Sequence, residues 1–413
     1  MNIQNTIQVI QQYTEDLEDR LVAIRRDLHQ HPELSGAESW TAAYIAAALD
    51  AADVTIRTGV GGYGLVAELV TDPTRPTVAL RVDMDALPIQ EVNEQPYRSK
   101  VTGVMHACGH DVHSAIGIGV ALILSRIRDR LAGNVRFIFQ PEEEEITGAL
   151  RMIRAGVLSD PEPVAIFGLH VAPIPVGQIA WTEDLFLAGF DHYLGILRVQ
   201  GGTMLSLAHL DAIARRCCQV IQHFNQWHLP ETFEEMQAFW KRMETSPDGL
   251  ERFMIYDATQ NDEVPGAWHG QFGIGIKAAN HHLRRAAIGR IRASLNTICR
   301  MTHTRYRLEP MGTMPDMRND TKLVRANIEA LERIVGAESL IELKAAFPFN
   351  CEDFAYFTEY VPGAMYWLGG ANPAKGKFAM LHTPDFDVDE RCLKVGVRAM
   401  AALLVNTLAR HDH

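Results

Sequence analysis

The chain has 413 residues, with 39 basic and 51 acidic side chains and a formal net charge of −12. At about 100–200 residues per domain, this length predicts two or three domains. A content of 47% hydrophobic and 22% charged residues excludes a mainly disordered chain, and the acidic balance argues against a nucleic acid or an anionic membrane as the main partner.

We expect neither a targeting segment nor a membrane span. Residues 1–20 are polar and acidic, so they lack the apolar core of a signal peptide. No stretch reaches the ~18 apolar residues that a span needs. The cysteines show no framework of short spacings, which predicts reduced thiols of a cytoplasmic protein, at Cys108, Cys217, Cys218, Cys299, Cys351 and Cys392.

Two helices are predicted near the start of the chain. Apolar residues recur at three- and four-residue steps from Ile10 to Leu28, which predicts one helix that ends before Pro32. A capping box at Ser35–Glu38 predicts the start of a second, alanine-rich helix over Trp40–Leu49.

Strands and helices then alternate. Apolar runs predict strands over residues 77–83, 135–139 and 164–171, and residues 112–130 predict a helix between the first two. This order is typical of an α/β fold with a largely parallel sheet. In such sheets ligands bind at the carboxyl ends of the strands, and polar groups stand at these three ends, at Asp83 and Asp85, at Glu142–Glu145 and at His170.

The composition changes after about residue 190. Helical stretches at 208–238 and 281–302 enclose a segment that is rich in turn formers, and the last hundred residues return to the earlier style. We therefore predict a discontinuous main domain over residues 1–190 and 310–413, with a second domain inserted at residues 191–309.

The segment Met105–His113 is the densest group of metal-binding residue types. Cys108 and His110 place a thiolate and an imidazole within a few ångströms, a pair suited to zinc. Asp111 and His113 could hold these ligands in position from behind. A surface turn that happens to contain histidines is the alternative, but such a density of cysteine and histidine is uncommon by chance.

Four glutamates, Glu142–Glu145, follow the strand that ends at Gln140–Pro141. They could form a solvated acidic helix start, which the helix dipole favours. Four carboxylates at one strand end repel each other, however, and a cation would relieve the repulsion. One of them could then bind a metal while a neighbour takes a proton from bound water.

The histidines at His170 and His382 are each a weak signal, because a lone histidine is more often structural than metal-binding. Asp83 and Asp85 lie on the same face of a strand, where they either cap the next helix or orient histidine ligands. Together the segments supply enough ligands for two divalent ions about 3.5–4 Å apart that share a hydroxide, an arrangement suited to hydrolysis. No nucleophilic-serine elbow, phosphate loop or dinucleotide fingerprint competes.

These motifs, in this order, resemble the co-catalytic metallo-aminopeptidase/aminoacylase superfamily. They are most similar to its amidohydrolase branch of hippurate hydrolases, N-acyl-amino-acid amidohydrolases and auxin-conjugate hydrolases. The resemblance covers about residues 20–190 and 310–410, and it is carried by the segments Arg26–Leu34, Arg81–Pro88, His106–His113, Phe139–Glu144, Gly168–His170, Glu352–Phe354 and His382–Phe386.

The resemblance implies a di-metal hydrolase with an α/β catalytic domain and an inserted α+β lid that often dimerises. It implies that Glu143 is the general base, which activates the bridging water and later protonates the leaving amine. Asp83 and Asp85 would support the ligands from the second layer. The metal ligands that it implies are Cys108, His110, Glu144, His170 and His382.

The inserted segment departs from the family pattern. The family's Gly-Gly-His motif, whose histidine helps to polarise the scissile carbonyl, reads Gly201-Gly202-Thr203 here, and losing one such donor typically costs about 10²–10³ in rate. His209 could replace it. Two other family segments are reduced to Asn261–Pro265 and Gly273–Lys277, and residues 229–257 look unlike the usual lid strands. Either substrate recognition has been rebuilt, or a structural domain has drifted.

We therefore predict a metal-dependent hydrolase of N-acyl amino acids or related small amides. One alternative is a lyase, acyl-transfer or condensation step on the same di-metal scaffold, which the altered lid motivates. A non-catalytic binding protein is less favoured, because binding alone gives no reason to keep five ligands and a base together. We expect zinc, with nickel, cobalt or manganese as alternatives. By resemblance we expect a homodimer through the lid, and we expect no nucleic-acid or membrane partner.

Overall fold

The computed structural model describes residues 3–201, 205–245, 248–260 and 269–411. Its helices in these residues are α1 (Ile3–Asp16), α2 (Glu18–Gln30), α3 (Ser39–Leu49), α4 (His110–Arg126), α5 (Gly148–Arg154), α6 (Leu207–Gln222), α7 (Phe233–Thr245), α8 (His281–Met301), α9 (Thr321–Val335), α10 (Ala355–Thr358) and α11 (Arg391–His411). Its strands are β1 (Thr55–Thr58), β2 (Leu65–Leu69), β3 (Thr77–Asp83), β4 (Asn134–Gln140), β5 (Ala165–Pro175), β6 (Ile179–Trp181), β7 (Leu185–Leu187), β8 (Gly189–Val199), β9 (Met254–Thr259), β10 (Gln271–Ala278), β11 (Thr304–Met314), β12 (Met317–Arg318), β13 (Leu340–Glu342) and β14 (Gly363–Ala371).

Eight strands form the larger sheet, in the order β1-β2-β4-β3-β5-β14-β6-β13. The pairs β3/β4, β3/β5, β5/β14 and β6/β13 are parallel. The three strands predicted from the sequence are therefore the neighbours β4, β3 and β5. Alternate side chains of β3 face opposite sides, since Leu80 and Val82 join one buried apolar cluster and Ala79 joins another.

Helix α4 packs against β3, α2 and α11 on one face of the larger sheet. Helix α11 is long and apolar enough to cross a membrane by length and composition, but 72% of its most apolar window is buried inside the protein. A core helix of a folded protein has the same properties, and α11 lies in this core.

The second sheet is antiparallel and has the order β11-β8-β10-β9. Its four strands lie between Gly189 and Met314, and helices α6 and α8 pack on it around a separate apolar cluster. The predicted fold class, a mixed and mostly parallel α/β unit with an inserted α+β unit, is confirmed. The domain limits at residues 190/191 and 309/310 remain predictions.

The single helix predicted over Ile10–Leu28 is wrong, because the chain forms two helices that meet at Leu17. The Thr14 hydroxyl donates a hydrogen bond of 2.7 Å to the Ile10 carbonyl. Such side-chain bonds compete with the backbone ladder and bend helices.

The capping box predicted at Ser35–Glu38 is also wrong. Glu38 precedes α3 but makes no side-chain cap. The Glu33 carboxylate takes this role instead, since it accepts hydrogen bonds from the N–H groups of Trp40 at 3.1 Å and Thr41 at 2.8 Å. A carboxylate there satisfies N–H groups that the helix itself leaves without partners.

The helix-like stretch over residues 208–238 is two helices, α6 and α7, separated by residues 223–232. Helix α6 packs on the smaller sheet. Helix α7 instead turns to the larger sheet, where Met236, Trp240 and Met243 join the apolar cluster that contains Trp367.

Candidate metal centre

Three neighbouring parallel strands bring the predicted site residues to one edge of the larger sheet. Strand β3 ends at Asp83, β4 ends just before the glutamate run, and β5 carries His170. Helix α4 begins at His110, directly after the turn that holds Cys108. Because parallel strands end at a shared edge, these four segments meet there.

Gly109 allows its two neighbours to face the same cluster. Its φ of 82° lies in the left-handed region, which glycine adopts without steric cost. A Cβ at this position would lie 2.3 Å from Val171 Cγ1. The turn therefore requires glycine between Cys108 and His110.

The Cys108 thiol lies between two histidines. Its Sγ is 3.4 Å from His170 Nε2 and 3.2 Å from His382 Nε2. A backbone hydrogen bond of 2.8 Å ties the His382 N–H to the segment just before Cys108. Ligand atoms of Cys108, His110 and His170 lie within 4.8 Å of one another, as do those of Cys108, Glu144 and His382.

His110 faces the two glutamates. Its Nε2 lies 3.8 Å from Glu143 Oε2 and 3.8 Å from Glu144 Oε1. Within the described residues, neither His110 Nε2 nor Glu144 Oε1 has a hydrogen-bond partner, although both atoms are buried. Buried polar atoms without partners are uncommon in folded proteins, and a bound water or ion is a usual explanation for them. Sulfur, nitrogen and carboxylate donors grouped in this way fit divalent metal ions.

Two aspartates lie behind the imidazoles. His110 Nδ1 is 3.1 Å from Asp85 Oδ1 and 2.9 Å from the Asp85 carbonyl oxygen. His113 Nδ1 is 2.5 Å from Asp83 Oδ1, and its Nε2 accepts a hydrogen bond of 2.8 Å from the Val171 N–H. Both ring nitrogens of His113 are occupied, whereas His110 keeps one free, so the geometry suits His110 as a ligand and His113 as a support.

Residues 79–406 match the family model described as Peptidase family M20/M25/M40. The chain belongs to this family. It is 33% identical over 397 residues to the N-acetylcysteine deacetylase of Bacillus subtilis, which covers 94% of this chain and 97% of that protein. It is 32% identical over 393 residues to the IAA-amino acid hydrolase ILR1-like 2 of Arabidopsis thaliana, which covers 94% of this chain and 85% of that protein.

A solved M20 structure has the same fold. It is the YXEP protein of Bacillus subtilis, described as a dinuclear metal binding peptidase from the M20 family, with a TM-score of 0.73 and 29% identity over 96% of this chain and 99% of that one. The predicted family and enzyme class are confirmed, and the chain is an M20 enzyme that acts on carbon–nitrogen bonds. The broader part of the functional prediction, a metal-binding hydrolase of amide bonds, is also confirmed.

Two glutamates and the cysteine thiol of this M20 site resist ionisation. Burial, reinforced by neighbouring carboxylates, raises the pKa of Glu143 well above its usual value. Burial also raises the pKa of Glu144 to about 7 and that of the Cys108 thiol. Burial opposes a charge on His110, but the surrounding acidic groups outweigh it and raise the pKa of this histidine to about 10. The site is thus an electrostatic environment that favours positive charge.

The other two histidines of the cluster are kept neutral. Burial lowers the pKa of His170 well below its usual value, and it lowers the pKa of His382 to about 4. Neutral imidazole is the form that binds a metal ion. Both side chains are therefore available as ligands without first losing a proton.

Sequence reasoning assigned no role to a buried ionic cluster beside Glu143. Arg81 Nη2 lies 3.0 Å from carboxylate oxygens of both Glu352 and Asp353, and its Nη1 is 2.7 Å from Asp83 Oδ2. Ligand-type atoms of Glu143, Glu352 and Asp353 lie within 4.8 Å of one another. Burial raises the pKa of Asp353 to about 7. The sequence does hold one signal for this cluster, because Glu352 and Asp353 belong to the family motif Glu352–Phe354.

Asp111 faces away from the metal cluster. Its Oδ2 accepts a hydrogen bond of 2.8 Å from Arg25 Nε and lies 2.7 Å from His29 Nδ1. Arg25 also contacts Asp387 at 3.3 Å. The predicted role of Asp111 behind the ligands is therefore wrong, because α4 turns its side chain towards α2.

The predictions on the lid motif remain untested. Gly202, Thr203 and Asn261–Pro265 lie outside the described residues. His209 is exposed in the first turn of α6, where its Nδ1 is 2.7 Å from Ser206 Oγ. Its partner is thus a neighbour in sequence rather than a residue of the metal cluster, and its substitution for the lid histidine stays a prediction.

Lys277 of β10 is the basic group of the smaller sheet that reaches the site. Its Nζ donates a hydrogen bond of 2.6 Å to the Phe349 carbonyl. The pKa of His382 is lowered first by burial, then by His110, and then by the charge of Lys277. A cation therefore stands near the metal cluster on the side of the smaller sheet.

Proposed function

We propose that this M20 enzyme hydrolyses the amide bond of an N-acyl amino acid or a related small amide at a centre of two divalent metal ions. One observation carries the proposal. The side chains predicted as ligands converge on a single cluster beside the proposed base Glu143; it is buried at Cys108, His110 and His170 and more open at Glu144 and His382.

The donor set favours zinc. A thiolate, imidazoles and a carboxylate are the ligand types that zinc prefers, and nickel, cobalt and manganese compete according to their supply in the cell. Cys108 would bind as a thiolate, since a nearby cation reverses the effect of burial on its pKa. When bound, the ions polarise the scissile carbonyl and make a water nucleophilic at neutral pH.

Glu143 is the proposed proton carrier. Its Oε2 borders the cluster, 3.8 Å from His110 Nε2, and the residue is only 6% exposed. Burial and then Glu352 and Glu144 raise its pKa, so this carboxylate holds a proton more readily than an exposed one. We assign it to accept the proton of the attacking water and to deliver it to the leaving amine nitrogen.

Lys277 is the proposed contact for the carboxylate of the amino acid half. Its ammonium donates to the Phe349 carbonyl and carries two further N–H donors. It is half-buried on β10, close enough to the site for its charge to lower the pKa of His382. A cation held in this way orients an anionic substrate without blocking the metal ligands.

The substitution Glu143→Gln tests this assignment. We expect kcat to fall by about 10²–10⁴, the usual share of a general base, while the metal content stays unchanged. The assay separates free carboxylic acid and amine from a panel of N-acyl amino acids, and the exposed neighbour provides the control variant Glu145→Gln. Wild-type turnover without Glu143 would overturn the role, and products other than acid plus amine would favour the lyase, acyl-transfer or condensation alternative.

We also propose a reducing, cytoplasmic setting. None of the six cysteines, all of which lie in the described residues, forms a disulfide bond, and five of them are buried, which fits a compartment that keeps thiols reduced. A homodimer through the inserted lid and the lack of a nucleic-acid or membrane partner stay predictions from the sequence.

A further inference from the structure

A cavity of about 310 Å³ opens beside the metal cluster. His382 lines it from the cluster side, and Trp367, which also lines it, contacts His170 with ring centroids 5.7 Å apart. Most of its remaining wall is apolar, formed among others by Met236, Trp240, Phe347, Met380 and Leu381. The cavity is therefore continuous with the proposed reaction centre and apolar away from it.

One wall of the cavity comes from an unexpected place in the chain. Helix α7 lies in sequence between α6 and β9, both of which belong to the smaller sheet unit. It nevertheless packs on the larger sheet, where the Gln237 amide donates to the Pro173 carbonyl of β5 and the Lys344 N–H donates to the Met243 carbonyl at 2.8 Å. Contacts on both sides hold this helix over the cavity.

The aromatic rings of this wall form a rigid packed set. Trp240 stacks on Phe347 with centroids 5.5 Å apart and an interplanar angle of 9°, and it meets Trp367 edge-on at 5.5 Å. Within the described residues, the indole Nε1 atoms of both tryptophans lack a hydrogen-bond partner although they are buried. Buried indole N–H groups usually have a partner, so these two donors favour an occupant or a water in the cavity.

The charges around the cavity decide which half of a substrate fits. Among the described residues, Glu231 and His382 are the only ionisable ones that line it, so the cavity wall offers an anionic group no cationic side chain. Lys277 instead contacts Phe349, the residue next to Asn350 of the lining. A substrate carboxylate is therefore drawn to Lys277, outside the cavity, and the uncharged acyl half is left for the apolar space.

We propose that this cavity binds the acyl group of the substrate, and that Met236 and Trp240 of α7 set the largest acyl group accepted. The inference rests on the proposed function. A cavity of about 150 Å³ already binds benzene, and this one is about twice as large. The preferred acyl group is thus a bicyclic aromatic or an aliphatic chain of about six to ten carbons, not acetyl.

The test compares kcat/KM for the N-acetyl, N-hexanoyl, N-octanoyl and N-(1-naphthylacetyl) derivatives of one amino acid. In the wild type we expect the octanoyl-to-acetyl ratio to exceed about ten, since each group that fills an apolar pocket adds at least that factor. Met236→Trp, which narrows the cavity, should lower this ratio at least about tenfold. Trp240→Leu, which widens it, should move the preference towards longer chains.

The exposed residue Lys241 provides the matched control on the same helix, because its side chain pairs with Glu244 one turn away. Lys241→Ala should keep the wild-type ratio. Circular dichroism checks that each variant is folded. Equal kcat/KM for acetyl and octanoyl substrates in the wild type, or an unchanged ratio in both Met236→Trp and Trp240→Leu, would overturn the cavity assignment while leaving amide hydrolysis intact.

A binding measurement separates this inference from the proposed function. Octanamide, a neutral acyl mimic, should change the tryptophan fluorescence of the zinc-loaded wild type, because Trp240 and Trp367 line the cavity, and it should bind at least about tenfold more weakly to Met236→Trp. This result without any amide hydrolysis would support the cavity and overturn the function. No difference in octanamide binding between wild type and variant would overturn the cavity assignment.

Discussion

His113 joins the end of strand β3 to the middle of strand β5 through one imidazole ring. Its Nδ1 is 2.5 Å from Asp83 Oδ1 at the end of β3, and its Nε2 accepts a hydrogen bond of 2.8 Å from the Val171 N–H in β5. Because Nε2 accepts, the proton sits on Nδ1 and is donated to Asp83. The ring therefore holds β5, and with it His170, in register with the acidic end of β3.

The substitution His113→Ala should weaken metal binding without removing a ligand. Loss of such outer contacts typically lowers metal affinity by about 10–100-fold. Zinc affinity is measured by competition with a chelating dye. The exposed His223 in the helix cap of α6 gives the control His223→Ala, for which we expect wild-type affinity. Wild-type zinc affinity in His113→Ala would show that the metal ligands keep their positions without this ring.

Arg81 is the cation that balances the buried acids beside Glu143. It is 1% exposed and contacts Asp83, Glu352 and Asp353. Arg81→Met should lower the free energy of unfolding by about 3–5 kcal/mol, because the buried carboxylates then lose their cationic partner. Denaturant unfolding measures this change.

The control for Arg81 is an exposed ion pair. Arg325 contacts Glu183 at 2.7 Å on the surface, and exposed pairs contribute about 0–1 kcal/mol. Arg325→Met should therefore cost no more than this. Similar losses of unfolding free energy in Arg81→Met and Arg325→Met would show that the buried Arg81 contributes no more to stability than an exposed ion pair does.

Asp387 links α2 to the end of the chain and should make stability depend on pH. Its Oδ1 lies 3.3 Å from Arg25 Nη2, and its Oδ2 accepts hydrogen bonds from Tyr97 and Lys377. Burial opposes ionisation, but Arg25 and Lys377 outweigh it and lower the pKa of Asp387 below its ordinary value of 3.8. The folded protein thus binds this proton less readily than the unfolded chain.

It follows that the stabilisation by Asp387 is fully present above about pH 4 and is lost as the pH falls through the lowered folded pKa. Asp387→Asn should reduce the free energy of unfolding by about 3 kcal/mol at pH 7, and by clearly less at pH 3. Denaturant unfolding at pH 7, 5 and 3 measures both proteins. A loss of equal size at all three values would show that packing, and not charge, explains the effect.

The sheet and the ligand segments could be predicted because their signals are local. A buried strand such as β3 reads as a continuous apolar run, and the polar residues that follow it mark its carboxyl end. Cys108 and His110 are two residues apart, so their proximity follows from the chain itself. His382, which comes from 274 residues beyond Cys108, could be placed only through the motif match.

The features that sequence reasoning missed depend on contacts between distant segments. Arg81 and Asp353 are 272 residues apart, and no local pattern pairs a strand arginine with a loop aspartate. The apolar positions of α7 predict an amphipathic helix but not which sheet it covers. His382 has a φ of 60°, a left-handed conformation that is uncommon outside glycine and that no local sequence pattern predicts.

Metal content is the measurement that tests the central claim most directly. Wild-type protein and the double variant Cys108→Ala, His170→Ala are incubated with zinc, desalted and analysed for metal, with Cys299→Ala as a control for loss of another buried thiol. The account predicts about two ions per chain in the wild type and the control, and clearly fewer in the double variant. Near-zero zinc in the wild type, or equal zinc in wild type and double variant, would contradict a metal centre at this cluster.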